Sequence, residues 1–110
     1  MRADTRSDLQ ELRRVGELMT ERQLLDAVRA ACRWAGLLTY HTYSSRRSEP
    51  GFPDLVAIRP PRVLFIELKV EKGRLSRAQE HWLKLLRLVP CVEVFVWRPS
   101  DWPAVREVLR

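Results

Sequence analysis

The sequence predicts an α/β fold of the α+β kind: a mixed β-sheet flanked by helices, with elements in the order α-β-β-β-α-β-α. Three observations point there. Two long segments carry apolar residues at helical spacing, each opened by a capping box. Apolar residues alternate at strand spacing in the segments between and after them. At 110 residues the chain has room for one core and not two, so residues 1–110 are expected to form a single domain.

Taken in order, Leu9, Leu12 and Val15 predict a short helix from Asp8, within an N-terminal segment (1–19) that carries no motif. Thr20, with Gln23 three residues on, makes a capping box, and Gly36 ends the helix it opens. Leu24, Val28, Ala31 and Ala35 form the inward face, and Glu21 shares that stripe by its spacing. "LTYHTY" (38–43) has strand composition, and "SSRRSEPG" (44–51) is a basic loop ending in turn residues. Asp54 to Ile58 and Val63 to Val70 read as strands, and the short "RPPR" between them makes a hairpin. Ser76 with Gln79 opens the second long helix, whose inner face is expected to hold Ala78, Trp82, Leu85, Leu86 and Val89 before Pro90 stops it. "CVEVFVW" (91–97) is a strand, and a last helix starts near Asp101 with Pro103 in its first turn.

Composition sets broad bounds. An apolar fraction of 45% argues against a disordered chain, and no internal repeat or low-complexity tract is present. The longest unbroken apolar runs, such as Val63 to Ile66, are too short to cross a bilayer, and the N-terminus is charged where a signal peptide needs an apolar region. A soluble, intracellular protein with no membrane partner is expected. Cys32 and Cys91 lack the paired spacing of a zinc site, so both are expected as buried, reduced thiols. The net charge of +6 favours a polyanionic partner such as nucleic acid.

The chemistry concentrates in residues 51–73. On the strand from Val63, Leu64, Ile66, Leu68 and Val70 occupy one face and Phe65, Glu67, Lys69 and Glu71 the other. A half-exposed strand with one solvated, charged face accounts for that alternation by itself. Asp54 adds a constraint, because the hairpin brings it to the same end of the sheet as Glu67. Two carboxylates about 4 Å apart repel by roughly 4 kcal/mol at a typical effective dielectric, and Lys69 supplies only one positive charge. A hard divalent cation such as Mg2+ suits two carboxylates, a backbone carbonyl and water, with Lys69 placed to orient an attacking water or neutralise phosphate charge.

Gly51-Phe52-Pro53-Asp54 followed beyond residues 55–66 by Glu67-Leu68-Lys69 resembles the PD-(D/E)xK nuclease core. "TERQLLDAVRAACRWAG", "GFPDLVAI", "VLFIELKVEKGRLSRAQEHWLKLL" and "VEVFVWRP" together resemble the VRR-Nuc domain, a small endonuclease module, over about residues 20–98. The resemblance implies a restriction-endonuclease-like core similar to Holliday-junction resolvases, and hydrolysis of DNA phosphodiesters with Mg2+ or Mn2+. It also implies roles for particular residues. Asp54, Glu67 and the Leu68 carbonyl would be metal ligands, and Lys69 would position water. Glu21 would hold a water on the metal or a second ion, while a favourable charge at a helix N-terminus accounts for it equally simply. Gln79 would touch Lys69 or the phosphate, beside its capping role. Phe52 stands where the family usually has a small aliphatic residue.

Phosphate neutralisation should supply most of the substrate affinity. The candidates are Tyr43, Ser45, Arg46 and Arg47 ahead of the Gly-Phe-Pro-Asp turn, and Lys72, Arg74 and Arg77 after Lys69; a solvated basic loop is the plainer reading of the first group. His41 and His81 lack a partner at metal spacing and read as structural. The expected substrate is branched DNA such as a Holliday junction, as in DNA repair. Symmetric cutting would need a homodimer, which exposed aromatics such as Trp97 or Trp102 could serve, though core packing explains them equally well. The expected setting is the cytoplasm of a bacterial or phage-infected cell. A non-catalytic DNA- or RNA-binding module and a restriction-like or flap nuclease are the alternative readings.

Overall fold

A computed structural model of the protein describes residues 18–43 and 47–110. The helix expected from Asp8 lies outside those residues, as do Ser45 and Arg46. Among the described residues the elements run α1 (Glu21–Trp34), β1 (Leu38–His41), β2 (Leu55–Arg59), β3 (Arg62–Leu68), α2 (Arg77–Arg87) and β4 (Glu93–Trp97). A 3-10 turn (Pro99–Asp101) then leads into α3 (Trp102–Val108). The expected element order and the mixed sheet are both present.

Both capping boxes form. Thr20 Oγ1 accepts the Gln23 amide at 3.1 Å while Gln23 Oε1 accepts the Thr20 amide at 2.9 Å. Ser76 and Gln79 repeat the exchange at 3.1 and 2.8 Å at the start of α2. Each exchange satisfies amides that a helix start leaves without intrahelical partners. At the other end of α1, Gly36 takes φ +79°, the left-handed conformation that closes the helix, and the Arg59 guanidinium donates to the Ala35 carbonyl.

The sheet order is β1-β2-β3-β4. β1, β2 and β3 form an antiparallel meander, with Arg59 opposite Arg62 at the hairpin, and β4 returns parallel to β3 through the α2 crossover. Leu24, Leu25, Val28 and Cys32 of α1 bury against Leu55, Ala57, Leu64, Ile66 and Leu68, and Trp97, Val105 and Leu109 complete the core. At its far end β3 is tied to β4 by a two-pronged ion pair: Arg62 Nε and Nη2 lie 2.7 and 2.8 Å from the Glu93 carboxylate. That pair raises the Arg62 and lowers the Glu93 proton affinity.

The structure corrects several expectations. The buried position of α2 is Leu83, flanked by half-buried Gln79, Trp82 and Leu86, whereas Leu85 and Val89 are exposed. The inward stripe is thus turned by about one residue, because it carries polar Gln79 where an all-apolar face was expected. Cys91 is exposed, at φ +69° ahead of β4, and only Cys32 is buried. Trp97 is buried and Trp102 packs against the core, so neither is available to a dimer surface; the exposed large apolar residues beside the β1 edge are Trp34, Leu38 and Tyr40. Glu21 is exposed and does not lie on the buried stripe of α1. Among the described residues no helix is long and apolar enough to cross a membrane.

Candidate active site

The Gly-Phe-Pro-Asp turn is held from two directions. Gly51 adopts φ +86°, and a Cβ there would lie 2.4 Å from the Ala78 carbonyl carbon, so only glycine lets the turn rest directly on the first turn of α2. Phe52 inserts edge-on between Trp82 and Phe65, with ring centroids 5.2 and 6.2 Å away, and the Trp82 indole donates to the Pro50 carbonyl at 3.1 Å. The aromatic trio fills the space that a small aliphatic residue would leave, which is how this chain accommodates its bulkier Phe52. On the opposite side, the Thr42 amide donates to the Asp54 carbonyl at 2.9 Å and its hydroxyl to the Pro53 carbonyl at 2.8 Å.

Asp54 therefore leaves the turn fixed, just ahead of β2. Its Oδ2 accepts the Leu68 amide at 2.8 Å, at the point where β3 runs out of ladder partners on that side. This bond locks the first carboxylate against the strand that carries the second. Glu67 is 1% exposed, buried on a sheet covered on both faces, so the solvated charged face allowed by the alternation does not exist at this position. Its Oε1 receives a long contact, 3.4 Å, from the Gln79 side-chain nitrogen. Its Oε2 is buried with no hydrogen-bond partner among the described residues.

The electrostatics follow from that geometry. Burial pushes the Glu67 carboxyl up to about 9, helped by the hydrogen bond a protonated carboxyl can share with Asp54, by repulsion from Asp54 and by the charge of Glu21, and opposed by the Lys69 ammonium. The charges of Asp54, Lys69 and Glu21 thus all bear on the Glu67 carboxyl. Ionised, the two carboxylates can only accept hydrogen bonds, so an added proton or cation is the missing partner of Glu67 Oε2. An orphaned buried carboxylate oxygen beside a second carboxylate fits a hard divalent cation, with the oxygen donor set such an ion prefers. Among the described residues no tight cluster of three or more His, Cys, Asp and Glu groups is preassembled, so water and backbone oxygens would complete any coordination shell.

Gln79 performs two tasks at once: its side-chain oxygen closes the expected capping box, and its nitrogen faces Glu67, a partner not among those expected for it. The chain after Lys69 is anchored by two hydrogen bonds. Glu71 accepts the Ser100 amide at 3.0 Å, and Arg98 donates to the Gly73 carbonyl at 2.8 Å, so the segment following Lys69 is strapped to the one following β4. Tyr43, Arg47, Lys72, Arg74 and Arg77 are all exposed. His81 is exposed on α2, away from the acids' cavity.

Above Asp54 opens a cavity of about 210 Å³ lined by Glu21, Arg22, Leu25, His41, Asp54 and Leu68. Neither Arg22 nor His41 belongs to the motif: Arg22 carries no sequence signal of a site, and His41, with no partner at metal spacing, reads as structural. The signal for His41 was its place opposite Leu55, next to Asp54, but that register depends on how the loop between β1 and β2 closes, which spacing alone does not reveal.

The family model described as the VRR-NUC domain matches residues 3–96, which takes in the described elements from α1 to β4, short of Trp97, and most of the N-terminal segment that carries no motif of its own. No curated protein and no solved structure matches the chain. With the match spanning most of the sequence and the acid pair meeting at the sheet end, the chain belongs to the VRR-NUC family, a nuclease-type domain of the PD-(D/E)xK superfamily.

Proposed function

We propose that the protein is a Mg2+- or Mn2+-dependent, structure-selective endonuclease that hydrolyses phosphodiester bonds in branched DNA such as four-way junctions, acting as a homodimer. The observation that carries this reading is Glu67: a carboxylate 1% exposed, one oxygen unpartnered among the described residues, set against Asp54. A DNA-binding module gains nothing from a pair of acids facing a polyanion, whereas a hydrolase needs the cation they hold.

Asp54, Glu67 and the Leu68 carbonyl would hold the cation, which would supply Lewis-acid polarisation of the scissile phosphate and an activated water. Asp54 stays oriented through the Leu68 amide, and Gln79 orients Glu67 from α2. Lys69 orients the nucleophile and offsets charge that develops on the phosphate oxygens. Glu21, which lines the cavity, would hold a water on the cation or a second ion. Tyr43, Arg47, Lys72, Arg74 and Arg77, together with Ser45 and Arg46, would track flanking phosphates. The two-fold symmetry of a four-way junction calls for two copies of a one-site domain.

The test is incubation of the purified protein with four-way, flap, nicked and linear duplexes, in Mg2+ or in EDTA. The expected result is Mg2+-dependent cutting of the four-way junction, abolished in Lys69→Ala while junction binding stays nearly intact. Equal loss of binding and cutting in that variant contradicts the role of Lys69. Binding without any metal-dependent product overturns the catalytic reading, and cutting of linear duplex at one sequence makes the enzyme restriction-like instead.

A further inference from the structure

We propose that Arg22 and His41 form a phosphate subsite in the cavity above Asp54, receiving a non-bridging oxygen of the DNA backbone while the acids hold the cation. The proposal rests on the nuclease reading and deepens it. Its starting point is the make-up of the cavity wall. Glu21 and Asp54 are acids, yet the same 210 Å³ space is also lined by Arg22 and His41. A cavity that held only a cation would gain nothing from Arg22. One that admits a cation together with a phosphodiester needs donors as well as acceptors, because the phosphate oxygens turned away from the cation still require partners.

Arg22 is available for this. Its contact with Asp26, one helical turn on, is 3.4 Å long, with both side chains largely exposed at 75% and 61%. Such a pair contributes little, so the guanidinium can turn to a phosphate at small cost. The backbone at His41 is fixed where Arg22 is adaptable. It is the last residue of β1, paired opposite Leu55, and the next residue, Thr42, makes the two hydrogen bonds that clamp Pro53 and Asp54. The backbone that carries the imidazole is thereby registered to Asp54, and an imidazole always has an N–H to donate. A donor on a fixed strand end and a mobile charged donor on one wall give both orientation and attraction to a phosphate.

Junction affinity measured across a salt series in the cleavage-deficient Lys69→Ala background tests this, with a four-way DNA junction as the probe. Arg22→Ala should weaken binding about tenfold and lower the slope of log affinity against log salt by about 0.9, the release of one counterion. His41→Ala should weaken binding by a similar factor, and His41→Gln, which keeps an N–H donor, should recover most of the loss. The rise in melting temperature that Mg2+ produces without DNA should be unchanged in all three. An unaltered salt slope in Arg22→Ala, or no advantage of Gln over Ala at position 41, overturns the subsite. Loss of the Mg2+-dependent melting shift also overturns it, by making these residues part of the cation site or of the fold. Failure of the nuclease reading itself shows earlier and separately, as wild-type protein that cuts no DNA.

Discussion

Replacing Glu67 with glutamine should make the cation-free protein more stable while removing its response to cations. In the native chain the carboxyl is pushed up to about 9 from an ordinary 4.5. Between those two values the folded state binds more protons than the unfolded one, so native stability falls as pH rises through the window and is regained on acidification. From 4.5 to pH 7 the unfolded chain gains about 1.4 kcal/mol per pH unit by ionising this group while the native chain gains almost none. The loss is therefore on the order of 3 kcal/mol. For a domain of this size that corresponds to a melting temperature lower by on the order of 10 °C. Glutamine has nearly the same shape, cannot ionise, and can donate to Asp54. The assay is thermal unfolding in EDTA from about pH 5 to about pH 8.5, the range over which the unfolded carboxyl is ionised and the native one is not. The wild-type melting temperature should fall relative to Glu67→Gln across that range, and the difference isolates this residue from other titrating groups. At about pH 8, Mg2+ at roughly a hundred times its dissociation constant should restore about 2.7 kcal/mol to the wild type and nothing to the variant. Parallel pH profiles for the two proteins, or equal stabilisation of both by Mg2+, would refute the account of Glu67 as an unmatched acid awaiting a cation.

Gly51→Ala should destabilise the fold by at least about 3 kcal/mol, because it combines a forbidden φ with backbone overlap at Ala78, and chemical denaturation would measure the loss; an effect under about 1 kcal/mol would mean the turn does not rest on α2. The two thiols should separate in a reactivity assay. Cys91 should be modified by a thiol reagent in the native protein, while Cys32, buried and with its thiol pushed up to about 11 by desolvation, should react only on unfolding.

The parts of this fold written in local chemistry are legible from the sequence. Thr20–Gln23 and Ser76–Gln79 announce their helices because a capping box is made by residues three apart. The β2–β3 hairpin follows from a connection too short for anything else. What local spacing cannot report is how many neighbours cover an element. Alternation puts Glu67 on the strand face away from Leu64 and Ile66, a face that water alone could have covered. Instead α2 and the Phe52 turn pack over it, and the carboxylate is buried as deeply as the leucines on the α1 side.

The same limit explains α2. A polar residue on the inward stripe looks like a break in the pattern until its partner, Glu67, is known, and so Gln79 turned the expected face by one position. Asp54 and Glu67 could be paired in advance because a hairpin joins their strands. Arg22 and His41 could not, since they reach the cavity from α1 and from the end of β1, across a connection whose length fixes no register. The exposure of Cys91 is equally non-local: it follows from a left-handed residue ahead of β4, where a strand start had been expected.

Thr42 has a consequence for how such a domain can change over time. One residue grips the chain on both sides of the Pro53–Asp54 peptide, so the stretch that departs after it and comes back at Pro53 is closed off like a loop on a clasp. Doubling the length of a loop closed in this way costs only about 0.6 kcal/mol. The chain between Thr42 and Pro50 can therefore be lengthened or recharged while the acid at the clasp stays where it is.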